Sequence, residues 1–212
     1  MRTIMVINAK GGSGKTTIAT NLASYYASRG KKVVLADFDQ QGSSMAWLKA
    51  RSAGRPPIKG VAAFAETLRP GRGSDVIIMD APAATHGTPL NQLVRRAHTF
   101  IIPVNPSPID MRAAADFIKE IKDTGVISRK HGKIGLVANR GREVTNIFWE
   151  LDEFLDHFRG VPYLAALRDS MNYIRAAERG LGIFEMAPYA TAIDREQWQP
   201  LIKWLASKRS QA

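Results

Sequence analysis

Residues 10–17 combine glycines, lysines and threonines in a pattern typical of a phosphate-binding loop. Within it, residues 11–14 read Gly-Gly-Ser-Gly, and Lys15 and Thr16 follow directly. Glycines let successive backbone N–H groups point toward one spot, and a helix beginning there adds partial positive charge. We expect Lys15 to contact the β- and γ-phosphates of a nucleotide and the Thr16 hydroxyl to bind Mg²⁺. The predicted nucleotide-binding residues of this segment are Gly11, Gly12, Ser13, Gly14, Lys15, Thr16 and Thr17.

Three aspartates stand at the ends of apolar segments that read as buried strands. Asp37 and Asp39 follow residues 33–36, and Asp80 ends the segment 75–80. Active sites of open parallel sheets lie at the carboxyl ends of the strands, which is where these carboxylates would stand. Either Asp37 or Asp39 could orient an attacking water or hold a Mg²⁺-bound water. Asp80 would bind the Mg²⁺ shell directly or through water.

The fold that would position these residues can be predicted from the alternation of apolar strands with helical segments. This alternation predicts an α/β fold, a doubly wound and mostly parallel sheet flanked by helices. The loops are short and no repeat occurs, so residues 1–212 are expected to form a single domain. Strands are expected at 4–7, 33–36, 75–80, 99–104, 133–140 and 161–163. Helices are expected at 15–29, 42–51, 64–68, 90–97, 109–124, 147–158, 171–179 and 194–208, with a loop at 52–59.

The composition narrows the classes of partner and compartment. The chain has 212 residues, a formal net charge of +11 and no cysteine. The absence of cysteine excludes disulfides, thiolate zinc sites and iron–sulfur clusters, and it fits a cytoplasmic protein. No apolar run is long enough for a transmembrane helix, and the chain begins directly with a strand, so neither membrane insertion nor a signal peptide is expected. The basic excess favours a polyanionic partner, nucleic acid before an anionic membrane, over a merely soluble basic surface.

The segment Lys10–Thr16, Lys-Gly-Gly-Ser-Gly-Lys-Thr, resembles the deviant Walker A motif of the ParA/MinD family of P-loop ATPases. Ala9 stands where the general P-loop pattern has its first glycine. In the family, the lysine at the position of Lys10 crosses a dimer interface to the nucleotide on the other subunit. The resemblance therefore implies a weak ATPase with ATP and Mg²⁺, an ATP-dependent homodimer, and Lys10, Lys15 and Asp39 as catalytic residues.

Further segments resemble the family's other site elements. Asp37 to Gln41 resembles its Asp-x-Asp-Pro-Gln segment, in which the second acid lies near the attacking water, although Gln40 replaces the proline. Asp80 and Pro82 resemble its Asp-x-Pro segment, and Asn139 with Arg140 resembles its base-contacting position. Guanine-specific relatives of this fold class carry an acid three residues after the asparagine. Here Arg142 stands at that place, which favours ATP over GTP.

The function that the resemblance implies is ATP-dependent positioning of a cargo such as a plasmid, a chromosome region or a protein microcompartment. ATP would close a sandwich dimer on nonspecific DNA, and a ParB-like or cargo-adaptor protein would stimulate hydrolysis and release. The protein would be cytoplasmic, nucleoid-associated, and bacterial or plasmid-encoded. Nonspecific binding needs only lysines and arginines that face phosphates. Candidate DNA contacts are Arg168, Arg175, Arg179, Arg195, Lys203, Lys208 and Arg209.

Two alternatives stay open at this point. One is a MinD-like membrane-associated regulator, because the segment 194–208 combines tryptophans with basic residues as an amphipathic anchor does. We favour core packing with a basic outer face for this helix. The other alternative is a metabolic P-loop enzyme of the same superfamily. Its cluster-bearing reductases are excluded by the lack of cysteine, and no constellation for a synthetase's substrate is visible.

Overall fold

Seven strands form one sheet in the computed structural model, which describes residues 1–69, 71, 73–129, 132–142 and 145–211. The strands are β1 (Arg2–Val6), β2 (Val33–Asp37), β3 (Ile58–Ala62), β4 (Val76–Asp80), β5 (Thr99–Val104), β6 (Lys133–Gly141) and β7 (Tyr163–Arg168). Their order is β3-β2-β4-β1-β5-β6-β7, and every pair is parallel. The predicted doubly wound parallel sheet is confirmed. On one side of β1 the chain first forms β2 and β3 and then returns to insert β4 beside β1, and on the other side it forms β5 to β7. The loop after β1 therefore lies where the strand order reverses.

Helices cover both faces of the sheet. They are α1 (Lys15–Ser28), α2 (Ser43–Ala50), α3 (Gly87–Val94), α4 (Pro108–Asp123), α5 (Gly125–Ser128), α6 (Asn146–Asp156), α7 (Met171–Glu178) and α8 (Ala192–Ala206). Successive side chains along a strand point to opposite faces of the sheet, so a strand contributes residues to the hydrophobic core on each face. In β1, Met5 packs with the core under α3, α4 and α6, whereas Ile4 and Val6 pack with the core under α1, α2 and α8.

Two expectations at the β3 side of the sheet were wrong. Part of the expected loop at 52–59 is an edge strand, because Ile58–Ala62 pairs in parallel with β2. The expected helix at 64–68 is a single turn, in which the Ala62 carbonyl accepts from the N–H groups of Ala65 and Glu66 and the bonding goes no further. One hydrogen-bonded turn is the costly nucleus of a helix, and a short segment without a long apolar face does not extend it.

The α8 helix packs into the core, as favoured from the sequence. Trp198, Leu201 and Leu205 are fully buried. The helix continues through Pro200, which is exposed to solvent. Most of the large apolar side chains of α8 are therefore used in packing the domain, although Ile193 near its start is exposed. Across the described ranges, no helix is both long and apolar enough to cross a bilayer.

Candidate nucleotide-binding site

The glycine-rich loop joins β1 to α1 at the carboxyl edge of the sheet. Gly12 and Gly14 adopt φ values of 74° and 94°, which side-chain-bearing residues rarely adopt. A Cβ on Gly14 would lie 2.1 Å from Nδ2 of Asn139, so a larger residue would also collide there. The helix begins at Lys15 directly after this turn, and its first N–H groups have no side-chain cap. An anion would satisfy these N–H groups and the positive end of the helix dipole.

Lys15 is held inside the loop. Its side chain is buried, and Nζ donates to the Lys10 carbonyl across 3.1 Å. Burial lowers the pKa of Lys15, and the nearby charges of Asp80 and Asp39 oppose that shift. A phosphate at the loop would offer this buried ammonium a charged partner in place of a neutral carbonyl.

Asp80 and Thr16 meet at the end of β4, as the sequence predicts for a Mg²⁺ site. Thr16 Oγ1 donates to Asp80 Oδ2 across 2.7 Å, and Ser44 Oγ donates to the same oxygen across 2.7 Å. The other oxygen, Oδ1, is buried and has no hydrogen-bond partner among the described residues. Burial raises the pKa of Asp80 to about 6, although both hydroxyl donors and Lys15 lower it. A hard cation would satisfy the orphaned oxygen, so the residues present fit Mg²⁺.

Asp37 holds the helix that follows it. It is fully buried, and its Oδ2 accepts from the N–H groups of Ser44 and Met45 across 2.9 and 3.2 Å. Its Oδ1 accepts from the N–H of Asp39 across 3.1 Å. These are first-turn groups of α2 and the preceding loop, so Asp37 caps that helix from a distance in sequence. Burial raises its pKa, and the backbone donors oppose the rise. Both carboxylate oxygens are thus already engaged, and metal binding by Asp37 stays a prediction.

Asp39 stands in a different environment two residues later. It is half-exposed, and its Oδ1 accepts from the Gln41 N–H across 3.0 Å in a local turn. Its charge acts on Lys15, so it lies near the buried ammonium. This placement is compatible with a role beside an attacking water, which remains a prediction.

Lys10 extends along the surface of the loop. Its side chain is 43% exposed, and Nζ lies 3.8 Å from Oδ1 of Asp110 in the first turn of α4. Asn105 ties the same region together, because its Nδ2 donates to the Gly12 carbonyl at 3.3 Å and to Asp110 Oδ2 at 3.4 Å. The Lys10 ammonium therefore lies beside the first turn of α4.

A cavity of about 460 Å³ adjoins the loop on the β6–β7 side. Asn139 borders it and donates from Nδ2 to the Ser13 carbonyl across 2.9 Å. Arg140 is exposed at its rim in a left-handed conformation, φ 55°, at an irregularity in the pairing of β6 with β7. Thr17 and Tyr173 also line the space. The base contact predicted for Asn139 and Arg140 would fall in this cavity, and it remains a prediction.

Ser44 is a site residue that the sequence analysis missed. Its hydroxyl is fully buried and bonds Asp80, while its N–H bonds Asp37. The only local signal was a hydroxyl residue at the start of the helix after the Asp-x-Asp segment, which is also typical of ordinary helix starts. Its partner Asp80 lies 36 residues away and arrives through the pairing of β2 with β4.

The seven candidate DNA contacts do not form one surface. Arg168 makes a two-point contact with buried Asp194, at 2.7 and 3.1 Å. Arg195 donates to the carbonyls of Phe184 and Met186. These two guanidinium groups therefore stabilise the fold. The remaining five are exposed and fall into two groups, on or beside α7 and near the end of α8: Arg175, Arg179, Lys203, Lys208 and Arg209.

Comparison with known proteins gives a match along most of the chain. Residues 4–183 match the family model described as the CobQ/CobB/MinD/ParA nucleotide binding domain. The maintenance of carboxysome distribution protein A of Gloeobacter kilaueensis is 33% identical over 119 residues, 52% of this chain and of that protein. Its namesake from Halothiobacillus neapolitanus is 28% identical over 197 residues, 87% of each. The chromosome-partitioning ATPase Soj of Thermus thermophilus is 29% identical over 157 residues, 58% of this chain and 62% of Soj. The chain thus spans about half the length of the Gloeobacter relative.

Solved structures share the fold. The septum site-determining protein MinD of Pyrococcus horikoshii, in complex with Mg-ADP, has a TM-score of 0.70 at 17% identity and covers 100% of this chain and 99% of its own. A McdA variant from Cyanothece in complex with ATP has a TM-score of 0.66 at 16% identity, with 95% and 96% covered. The expectation of ATP and Mg²⁺ agrees with the ligands of these structures.

Proposed function

Because the chain belongs to the CobQ/CobB/MinD/ParA nucleotide-binding family, we propose that it is a ParA-type ATPase that positions or segregates a cargo. The observation that carries this proposal is the 2.7 Å hydrogen bond from Thr16 Oγ1 to Asp80 Oδ2. It brings a loop suited to phosphates and a carboxylate suited to Mg²⁺ into one site. The relatives named for carboxysome distribution and chromosome partitioning support the positioning role.

ATP is the proposed substrate, and each part of the site has one task. Lys15 and the loop N–H groups would bind the phosphates, and Thr16 with Asp80 would hold Mg²⁺. Bound there, Mg²⁺ would supply positive charge that offsets the negative charge developing on the phosphates during transfer. Asp39 would position the attacking water. Catalysis of this kind rests on orientation and electrostatics, and we expect slow turnover until a partner completes the site.

Lys10 is the proposed link between ATP and dimerisation. Its side chain is 43% exposed, and its described ionic contact is a 3.8 Å approach to Asp110. Such a contact is weak near the surface. An ATP molecule on a second copy would offer phosphate charge in its place. Binding energy from that contact appears only when two copies meet, so nucleotide binding would stabilise the dimer.

Nonspecific DNA is the proposed surface on which the dimer acts. The net charge of +11 supplies the attraction, and contacts to phosphates need no base-reading motif. Arg168 and Arg195 are removed from the set of contacts, since both are engaged within the fold. The exposed cations beside α7 and near the end of α8 carry the proposal. A nucleoid-associated location in a bacterial cell follows from it.

The names of the relatives indicate only the class of cargo and the class of partner protein. A ParB-like or cargo-adaptor protein is proposed to stimulate hydrolysis, after which the dimer would open and leave the DNA. A MinD-like membrane role receives less support, because Trp198, Leu201 and Leu205, which would supply the apolar face of an anchor, are buried in the core.

The proposal is tested by retention on nonspecific DNA at moderate salt with ATP, ADP or no nucleotide. Wild type is compared with Lys10→Ala and with Lys31→Ala, which removes an equal charge from an exposed position away from the loop. Retention with ATP alone, lost in Lys10→Ala and kept in Lys31→Ala, is the expected result. In parallel, light scattering reports whether ATP doubles the mass of the wild type.

Each other outcome has a definite meaning. Equal retention in all three nucleotide states would mean that the basic surface binds DNA without a switch. No retention in any state would refute the DNA part of the proposal. An equal loss of DNA retention in Lys10→Ala and Lys31→Ala would mean that Lys10 contributes only its positive charge and has no specific role in dimerisation.

A further inference from the structure

The sheet ends at β3, whose outer side carries no strand in the described part of the chain. β3 pairs only with β2. The Ala62 N–H does not pair with β2 but donates to Glu66 Oε1 across 3.3 Å. The backbone N–H of Ala62 therefore points away from the sheet. Because backbone groups alternate in direction along a strand, the N–H and C=O groups of Ile58 and Gly60 face the same way. Gly60 is exposed. This edge is a template for another strand.

A groove of about 700 Å³ runs beside this edge. Its floor includes half-buried Met45 and Leu48 from α2 and Ile58 from β3. Gly60 allows Leu48 of α2 to lie close against β3, because a Cβ there would lie 2.7 Å from Leu48 Cδ1. The groove therefore offers apolar contact to side chains on one face of an added strand.

The charged residues that line the groove are mostly basic. Lys49 and Arg55 are exposed at its rim. Arg51 is engaged with Glu185 inside the fold, so it does not contribute to this surface. The acid Glu66 is occupied in part by the Ala62 N–H. A segment that carries carboxylates would therefore be favoured over a neutral or basic one.

We propose that the β3 edge and this groove dock an extended, acidic segment of a partner protein, which joins the sheet as a further strand. Backbone pairing with Ile58 and Gly60 supplies affinity, and alternate side chains enter the groove or face Lys49 and Arg55. The opposite edge is less open, since the Arg168 N–H of β7 donates to Gln197 Oε1 across 2.9 Å. The occupant would also contact α2, whose Ser44 bonds Asp80 at the phosphate site.

The probe is a fluorescein-labelled eight-residue peptide of alternating Glu and Val, titrated with the full chain without nucleotide and followed by anisotropy. Three peptides are compared: the parent, a Lys–Val analogue, and the parent with every backbone amide N-methylated. The protein variants are Lys49→Glu/Arg55→Glu and, as the matched charge control, Lys203→Glu/Lys208→Glu on α8 and beyond it. All four positions are exposed, so the fold is expected to tolerate the changes.

We expect the parent peptide to bind and both altered peptides to bind at least tenfold more weakly. Lys49→Glu/Arg55→Glu is expected to lose about tenfold in affinity, and the control pair less than twofold. Hydrogen exchange should slow at the Gly60 amide when the peptide is present. Equal binding of the N-methylated peptide would overturn strand pairing, and equal losses in both variant pairs would overturn the site. Because the assay uses neither ATP nor DNA, its failure is separate from failure of the proposed function.

Discussion

The buried ion pair between Arg51 and Glu185 offers a sharp test of how the described contacts stabilise this fold. The guanidinium meets the carboxylate at two points, 2.6 and 2.7 Å, and the two side chains are only 5% and 3% exposed. Arg51 follows α2, and Glu185 lies in the turn after α7. The pair therefore joins two segments that border the nucleotide site. We predict that Glu185→Gln destabilises the protein strongly.

The magnitude follows from what the substitution leaves behind. Removing one partner of a buried pair costs about 3–5 kcal/mol, because the other charge stays buried without compensation. Arg51 would keep its contacts to the carbonyls of Gly180 and Pro56, at 2.9 to 3.3 Å. The expected loss is therefore near the lower limit, about 3 kcal/mol. For a chain of this length that corresponds to roughly 6–12 °C in Tm and about 1–1.5 M in the urea midpoint.

The assay is urea unfolding followed by circular dichroism, without nucleotide. Asp169→Asn is the matched control, because the pair of Arg142 with Asp169 is 73% and 45% exposed. Exposed pairs contribute about 0–1 kcal/mol. A Glu185→Gln loss below about 1 kcal/mol, or one equal to that of Asp169→Asn, would refute the assignment of the pair as a buried structural contact.

Further predictions concern the phosphate site. Burial raises the pKa of Asp80 to about 6 from an ordinary value of about 3.9, so ionising it costs the folded state roughly 2–3 kcal/mol. The stability of wild type relative to Asp80→Asn should therefore fall as pH rises from about 4 to 6 and then level off, which urea midpoints across that range would measure. A constant difference would contradict this. Ser44→Ala removes a donor to the carboxylate and should raise the pKa of Asp80 further, so the same decline should extend above pH 6. Asp110→Asn releases Lys10 from its partly exposed contact and should strengthen ATP-dependent dimerisation in sedimentation equilibrium, by up to about fivefold (about 1 kcal/mol) for each of the two Lys10 residues in the dimer. Weaker dimerisation would instead give Asp110 a direct role at the interface.

Most of the helices and strands could be predicted, because the sequence patterns that indicate them are local. Apolar strands followed by helical periodicity predicted six of the strands, with β7 placed a few residues early. The edge strand β3 was missed, since Ile58–Ala62 contains a lysine and a glycine and follows two prolines. Such a segment reads as a loop, and pairing with β2 decides its state.

The site shows the same division between local pattern and tertiary contact. The order strand, glycines, lysine and threonine places the phosphate loop without any long-range information, because one turn and one helix start suffice to build it. Residue type and spacing alone do not distinguish Asp37 from Asp39, yet Asp37 is fully buried and caps α2 while Asp39 is half-exposed. Burial depends on the neighbouring strand and helix, which a spacing of two residues does not encode.

The sequence by itself therefore determined the fold class, the phosphate loop and the acid at the end of β4. Only the tertiary structure decided which polar groups meet. Ser44 bonds Asp80 across 36 residues and thereby joined the site. Arg168 bonds Asp194 across 26 residues, so it left the set of candidate DNA contacts, as Arg195 did through its bonds to two carbonyls. The physical reason is that charge and hydroxyl chemistry act over a few ångströms, whereas strand order sets which distant residues come that close.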